Sequence, residues 1–233
     1  ENGAPIEGQL DRVRYFYKKG IRYITLAHSE SNHLRDSSYG ENKRWKGLSP
    51  FGKDLIVEMN NVGMMIDISH VSDDAFMQVL EISKTPVIAS HSSLRHFTPG
   101  WERNVSDEML IKLAENGGVL QINFGSSFII DKARTNDANP TEDFNFATLE
   151  QVVDHFDRAV SLAGIDHVGI GSDYDGVGDT LPIGLKDVSQ FPNLIEELYK
   201  RGYSRGDIAK ILGGNTARVW REVEEYAKNQ SNR

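Results

Sequence analysis

Short apolar runs alternate along the chain with longer segments whose apolar residues recur at helical spacing. The runs are Ile21–Ala27 (IRYITLA), Gly63–Ser69 (GMMIDIS), Pro86–Ser90 (PVIAS), Gly118–Phe124 (GVLQINF) and His167–Ser172 (HVGIGS). Around Ile66, Ile88 and Ile170 there is little polar–apolar alternation, which is the pattern of strands covered on both faces in a parallel sheet. Helices are predicted between them. Leu10–Gly20 ends on a glycine suited to a C-terminal cap. Ser49–Gly63 has a serine N-cap followed by proline at the first helical position. Ser72–Lys84 and Ser106–Gly118 each start on serine followed by acids, where the helix dipole favours negative charge. Thr148–Gly164 places Val152, Phe156 and Val160 on one face. Phe191–Gly202 and Ser204–Lys228 complete the set, and the polar end beyond is expected to fray.

Strand–helix alternation of this kind predicts βαβ units and a parallel sheet. The longest irregular stretches, His28–Gly47 and Asp131–Glu142, each follow a predicted strand, where the functional loops of α/β folds sit.

Composition then narrows the function classes. Hydrophobic residues make up 39% of 233 and charged residues 26%, the balance of an ordinary soluble domain. A net charge of −8 argues against general nucleic-acid binding. No apolar run is long enough to span a membrane. The chain has no cysteine, which removes disulfides, thiolate catalysis and cysteine zinc sites together. A soluble protein is expected, and the compartment, cytoplasm or periplasm, is left open. The chain opens on Glu1 without a methionine, so a processed or truncated product is expected.

Chemistry collects at the strand ends. His28 follows the first run, His70 the second, His91 the third and Asp173 the fifth. In a (β/α)8 barrel all such ends meet at one face, where active sites are built. Imidazole and carboxylate suit zinc, and an aspartate beside a metal can serve as general base. His33 and His96 fall in loops, His155 in a helix and His167 at the start of a strand. For these a structural or solvated role is favoured.

The chain resembles the membrane (renal) dipeptidase family of metallopeptidases, within the amidohydrolase-like superfamily. The matching pieces are GIRYITLAHS, GLSPFGKDLIVEMNNVGMMIDISHVS, PVIASHSS, RNVSDEML, HVGIGSDYDG, DVSQFPNLIEELYKRGYS and GGNTARVWREV, in family order over nearly the whole chain. The resemblance implies an α/β fold, a (β/α)8 TIM-type barrel lacking its first two strands and most of the third. Residues 1–233 would be a single catalytic domain, the C-terminal two-thirds of a longer protein. It implies zinc, two ions in the family pattern. Glu1 matches the bridging glutamate, and His70 and His91 match the two histidines of one zinc. His28 matches the histidine that contacts substrate near the scissile bond. Arg103 matches the arginine that pairs with the substrate's terminal carboxylate, and Asp173 the catalytic carboxylate. The family's other zinc is held by a His-x-Asp on its first strand, which has no counterpart here, so at most one zinc is expected from the ligands present.

The implied reaction is hydrolysis of a dipeptide, with a zinc-activated hydroxide attacking the peptide carbonyl and Asp173 carrying the proton. Asp175, before a glycine, is expected to shape a turn. Hydrolysis of lactones or N-acyl amino acids by the same groups is the alternative enzyme reading, and a non-catalytic fragment is the other. A homodimer is left open.

Overall fold

The computed structural model describes residues 1–39, 43–134 and 144–231. Among the described residues five strands form, one in each expected run: β1 (Tyr23–Thr25), β2 (Met65–Asp67), β3 (Ile88–Ser92), β4 (Val119–Asn123) and β5 (Val168–Ser172). They lie in one sheet in chain order. β1 pairs in parallel with β2, β2 with β3, and β4 with β5. The helices are α1 (Asp11–Lys18), α2 (Pro50–Val62), α3 (Asp73–Ile82), α4 (Asp107–Glu115), α5 (Ser126–Ile129), α6 (Leu149–Ala163), α7 (Phe191–Lys200), α8 (Arg205–Ala209) and α9 (Asn215–Ser231). The protein is therefore an α/β fold on a parallel sheet. Most of the expected loop Asp131–Glu142, and the last two residues of the polar tail, lie outside the described residues.

The tail departs from a single helical segment. Over Lys210–Gly214 the chain makes a wide turn between α8 and α9. Helical spacing continues in sequence across this stretch, but Gly213 takes a φ of 159° and interrupts the ladder. Glycine has no side chain to resist that conformation.

The chain divides into two compact units. The first comprises Glu1–Ser90, Lys112–Val119 and Thr216–Arg233. Its core includes Met65, Ile88, Val119, Val219 and Val223, so one face of α9 is buried against strand residues. Burying each such side chain contributes about 1.5–3 kcal/mol. The expected caps are present: Ser49 accepts from the Gly52 amide at the start of α2, and Ser72 from the Ala75 amide at the start of α3. Gly63 ends α2 at φ 87°, the left-handed conformation that glycine adopts at least cost. The Asn60 side chain ties the end of α2 to the α3–β3 connection, donating to Ser83 and Thr85 and accepting from the Lys84 amide.

The second unit comprises His91–Ile111 and Leu120–Asn215. α6 starts on a reciprocal cap between Thr148 and Gln151. Val152 and Phe156 are fully buried as the spacing predicts, while Ala159 rather than Val160 continues the buried face. Arg201, just past α7, binds Asp154 and Asp157 of α6 at 2.9 and 2.7 Å.

His155 is enclosed in this unit, and its structural role is confirmed by its partners. Its Nδ1 accepts from the Leu94 amide at 3.1 Å and its Nε2 donates to the Ile129 carbonyl at 3.0 Å. The bond accepted at Nδ1 requires the neutral ring. Burial pushes its pKa down from 6.5 to about 4. Above pH 6.5 neither the folded nor the unfolded state binds the proton. Between 6.5 and about 4 only the unfolded chain binds it, so stability falls with pH across that window. The full shift corresponds to about 3 kcal/mol. Urea unfolding of the protein is expected to lose stability from pH 6.5 to 5, and less steeply in His155→Phe. Equal slopes in the two proteins would contradict this.

Candidate functional site

In the first unit, β1 and β2 deliver two imidazoles to one carboxylate. His70 Nε2 lies 2.8 Å from Glu1 Oε1, and His28 Nε2 lies 3.8 Å from Glu1 Oε2. The two rings stack at 4.6 Å between centroids, 28° from parallel. One ligand atom from each of Glu1, His28 and His70 falls within 4.8 Å of the others. His70 is buried while Glu1 and His28 are exposed, so the cluster opens to solvent on one side.

The chain around His70 explains why its ring points there. His70 takes φ 68°, the left-handed region that a non-glycine residue enters only when its surroundings hold it. The loop after β1 supplies the hold. The Ser38 amide donates to the His70 carbonyl at 2.9 Å, and residues 37 and 71 form an antiparallel bridge. The Ser37 hydroxyl donates to the His28 carbonyl at 2.8 Å. That loop is itself shaped by buried Asp36, whose carboxylate accepts from the Trp45 and Gly47 amides.

Behind the histidines, Asp67 is fully buried at the end of β2. It accepts from the Thr25 and Ser90 hydroxyls, both at 2.6 Å, and from the Ser69 and Ser90 amides. Four donors satisfy the charge and tie β1, β2 and β3 at one level. Thr25 stands three residues before His28, Asp67 three before His70, and Ser90 immediately before His91.

His28 has a second partner that sets what its Nε2 can do. Ser29 Oγ lies 2.9 Å from His28 Nδ1, and a hydroxyl can donate or accept. With Nδ1 donating, Nε2 presents a lone pair to a metal. With Nδ1 accepting, Nε2–H becomes a donor toward a substrate oxygen. Two imidazoles and a carboxylate at this spacing are a donor set that fits zinc.

The second unit holds the other expected residues. His91 lies inside β3 rather than beyond its end, half-buried. Its carbonyl accepts from Arg103 Nη2 at 2.8 Å, and the Ser92 hydroxyl accepts from Arg103 Nη1 at 2.6 Å. Arg103 is 2% exposed and lies over the Phe128 ring. Asp173 follows β5 at φ 65°. Its Oδ2 accepts from Asn123 Nδ2 at 2.7 Å. Asp175 is exposed in the following turn, in keeping with a turn-shaping residue.

Asn123 was not singled out by sequence reasoning, which sought groups that bind metal or move protons. The available signal was positional, since Asn123 stands at the end of the one strand without such a group. Of the remaining histidines, His33 accepts from the Gly8 amide and His96 packs edge-on against Phe97. The sequence His155-Phe156-Asp157 spells a His-x-Asp, but it lies within α6 with His155 engaged as described.

Comparison with known proteins bears on this arrangement. The family model for membrane dipeptidases, peptidase family M19, matches residues 1–233. A dipeptidase of Claviceps purpurea, TcpJ, is 41% identical over 218 residues, covering 94% of this chain and 48% of that protein. The chain spans about half the length of the curated relatives it matches. Among solved structures, the probable dipeptidase PvdM from Pseudomonas aeruginosa superposes with a TM-score of 0.88 at 31% identity, over 97% of this chain and 68% of that one. A Rhodobacter sphaeroides metallopeptidase, solved with a phosphinate mimic of the dipeptide L-Ala-D-Ala, gives 0.80 at 28% identity, over 93% and 60%. No helix among the described residues is long and apolar enough to cross a membrane.

Proposed function

Because this chain belongs to the membrane dipeptidase family, peptidase family M19, we propose that it carries the catalytic residues of a metal-dependent dipeptidase. The observation that supports this most is the meeting of Glu1, His28 and His70. Glu1 and His70 would hold zinc, with His91 as the further imidazole assigned by the motif match. When bound, zinc polarises a carbonyl and brings water toward ionisation near neutral pH.

The chain's own groups do the rest. His28, donating from Nε2 with Ser29 behind it, would stabilise the oxygen on which charge develops, an effect worth about 3–4 kcal/mol for one such donor. Asp173 would take the proton from the attacking water and pass it to the leaving amine. Arg103 would pair with the free carboxylate of the dipeptide through its planar fork.

Arg103→Ala is expected to raise KM for free dipeptides about 10–100-fold, in line with the 1.5–3 kcal/mol of a charged hydrogen bond. C-terminally amidated dipeptides should lose far less. The guanidinium also holds the His91 carbonyl and Ser92, so an equal loss for both substrates would make it a structural residue instead.

The reading is tested by offering the whole protein three substrate classes at equal concentration: dipeptides, N-acyl amino acids and lactones. Metal-dependent turnover of dipeptides above the other two is expected. Preference for either of the others would move the assignment to a different amidohydrolase-type reaction, and inactivity on all three would favour the non-catalytic reading.

A further inference from the structure

Asn123 is a buried polar side chain in a strand made mostly of buried apolar residues. It ends β4 and is fully buried. The Gly125 amide donates to its Oδ1 at 2.8 Å. An N–H can only donate, so this bond fixes which end of the side chain is oxygen. The amide nitrogen is thereby turned toward Asp173 Oδ2, 2.7 Å away. The main chain is fixed as well, since the Asn123 carbonyl accepts from Ser93 Oγ at 2.9 Å. At 2.7 Å the contact to Asp173 has the short length of a charge-assisted bond.

The strand pairing delivers the two residues to each other. Ile122 pairs with Ile170, but Asn123 pairs with Ser172, so the register slips by one residue at the sheet end. Bulges of this kind re-aim side chains beside active sites. The extra residue is Gly171, and the strain appears directly after it, with φ 26° at Ser172 and 65° at Asp173. The carboxylate's other oxygen is confined too. A Cβ on Gly176 would fall 2.2 Å from Asp173 Oδ1, and the Gly176 amide donates to the Asp173 carbonyl at 3.0 Å. A larger residue at 176 would displace the carboxylate.

We propose that Asn123 is the positioning residue for Asp173, fixing the direction in which its carboxylate takes and returns a proton. This rests on the reading of Asp173 as proton carrier. Asn123 itself touches no reacting atom; it prevents Asp173 from rotating away from the orientation that proton transfer needs. Partners that orient catalytic or ligating groups in this way are worth about 10–100-fold when removed.

The test compares Asn123→Ser with Asn123→Leu in the whole protein, assayed at pH 8 on whichever substrate class the wild type turns over. The serine hydroxyl can keep the acceptor for the Gly125 amide two residues on, ends one atom short of the Asn123 Nδ2 position, adds no charge beside Asp173, and remains informative if the leucine variant fails to fold. Asn123→Ser is expected to lower kcat about 10–100-fold with KM and zinc content close to wild type and only a modestly lower melting temperature. Unchanged kcat would overturn the proposal, as would a loss that merely tracks zinc content or melting temperature. A second readout needs no turnover. In the NMR spectrum of the wild type, one Asn123 Nδ2 proton is expected well downfield of its geminal partner, and Asp173→Ala should abolish that offset. Wild type without the offset overturns the proposal whatever the activity. Inactivity of the wild type on every substrate would count against the proposed function alone, and the offset would then decide for or against Asn123.

Discussion

Replacing Asp173 by Asn is expected to reduce turnover by the whole protein about 10²–10⁴-fold, the contribution of a positioned acid–base group. The substitution keeps size, and the amide oxygen can still accept from Asn123 across the 2.7 Å contact. What is lost is the capacity to take a proton from water and return it to the amine. Zinc content should stay near wild type, because Asp173 is not among the assigned ligands. Metal lost together with activity would make Asp173 a ligand first. Unchanged turnover would remove it from the mechanism. The left-handed backbone at this residue sharpens the expectation. Strain at a non-glycine position costs about 1–3 kcal/mol and is kept where the surroundings enforce it, most often at functional sites.

The second large effect is expected at His70. His70→Ala should weaken zinc binding by more than about 100-fold, since even a partner behind a ligand is worth about 10–100-fold. Activity should disappear with the metal. His70 is buried, so the melting temperature of the metal-free variant must be read alongside. His28→Asn supplies the contrast. It retains zinc and loses kcat if His28 is a substrate contact. It loses zinc if the stacking on His70 and the approach to Glu1 reflect ligation. The Ser29 contact allows either tautomer, so the metal content of His28→Asn decides which role the ring plays.

Much of this was legible in the sequence because the signals are local. Five apolar runs flanked by glycine, serine or proline became five strands, and serine caps at Ser49 and Ser72 formed where the helices begin. His28 and His70 stood out because four of the five apolar runs are followed by a histidine or an aspartate, a repetition that a single strand end would not have shown. What escaped depends on distant partners. The four bonds to Asp67 come from Thr25, Ser69 and Ser90, and only the folded sheet brings them to one level. The Asn123–Asp173 pair spans 50 residues and depends on a one-residue slip in strand pairing that no spacing rule shows. The break before α9 escaped for another reason. Its apolar spacing runs straight through Gly213 and Gly214, and only the backbone conformation interrupts the helix.

On the proposed function, Glu1 and His70 would hold a zinc ion at which the peptide bond is hydrolysed. Anomalous diffraction at the zinc edge, on crystals of the whole protein grown with zinc, tests this most directly. A peak within bonding distance of a Glu1 carboxylate oxygen and of His70 Nε2 is the predicted result. Zinc bound elsewhere on the protein, with no peak between these two side chains, would contradict it.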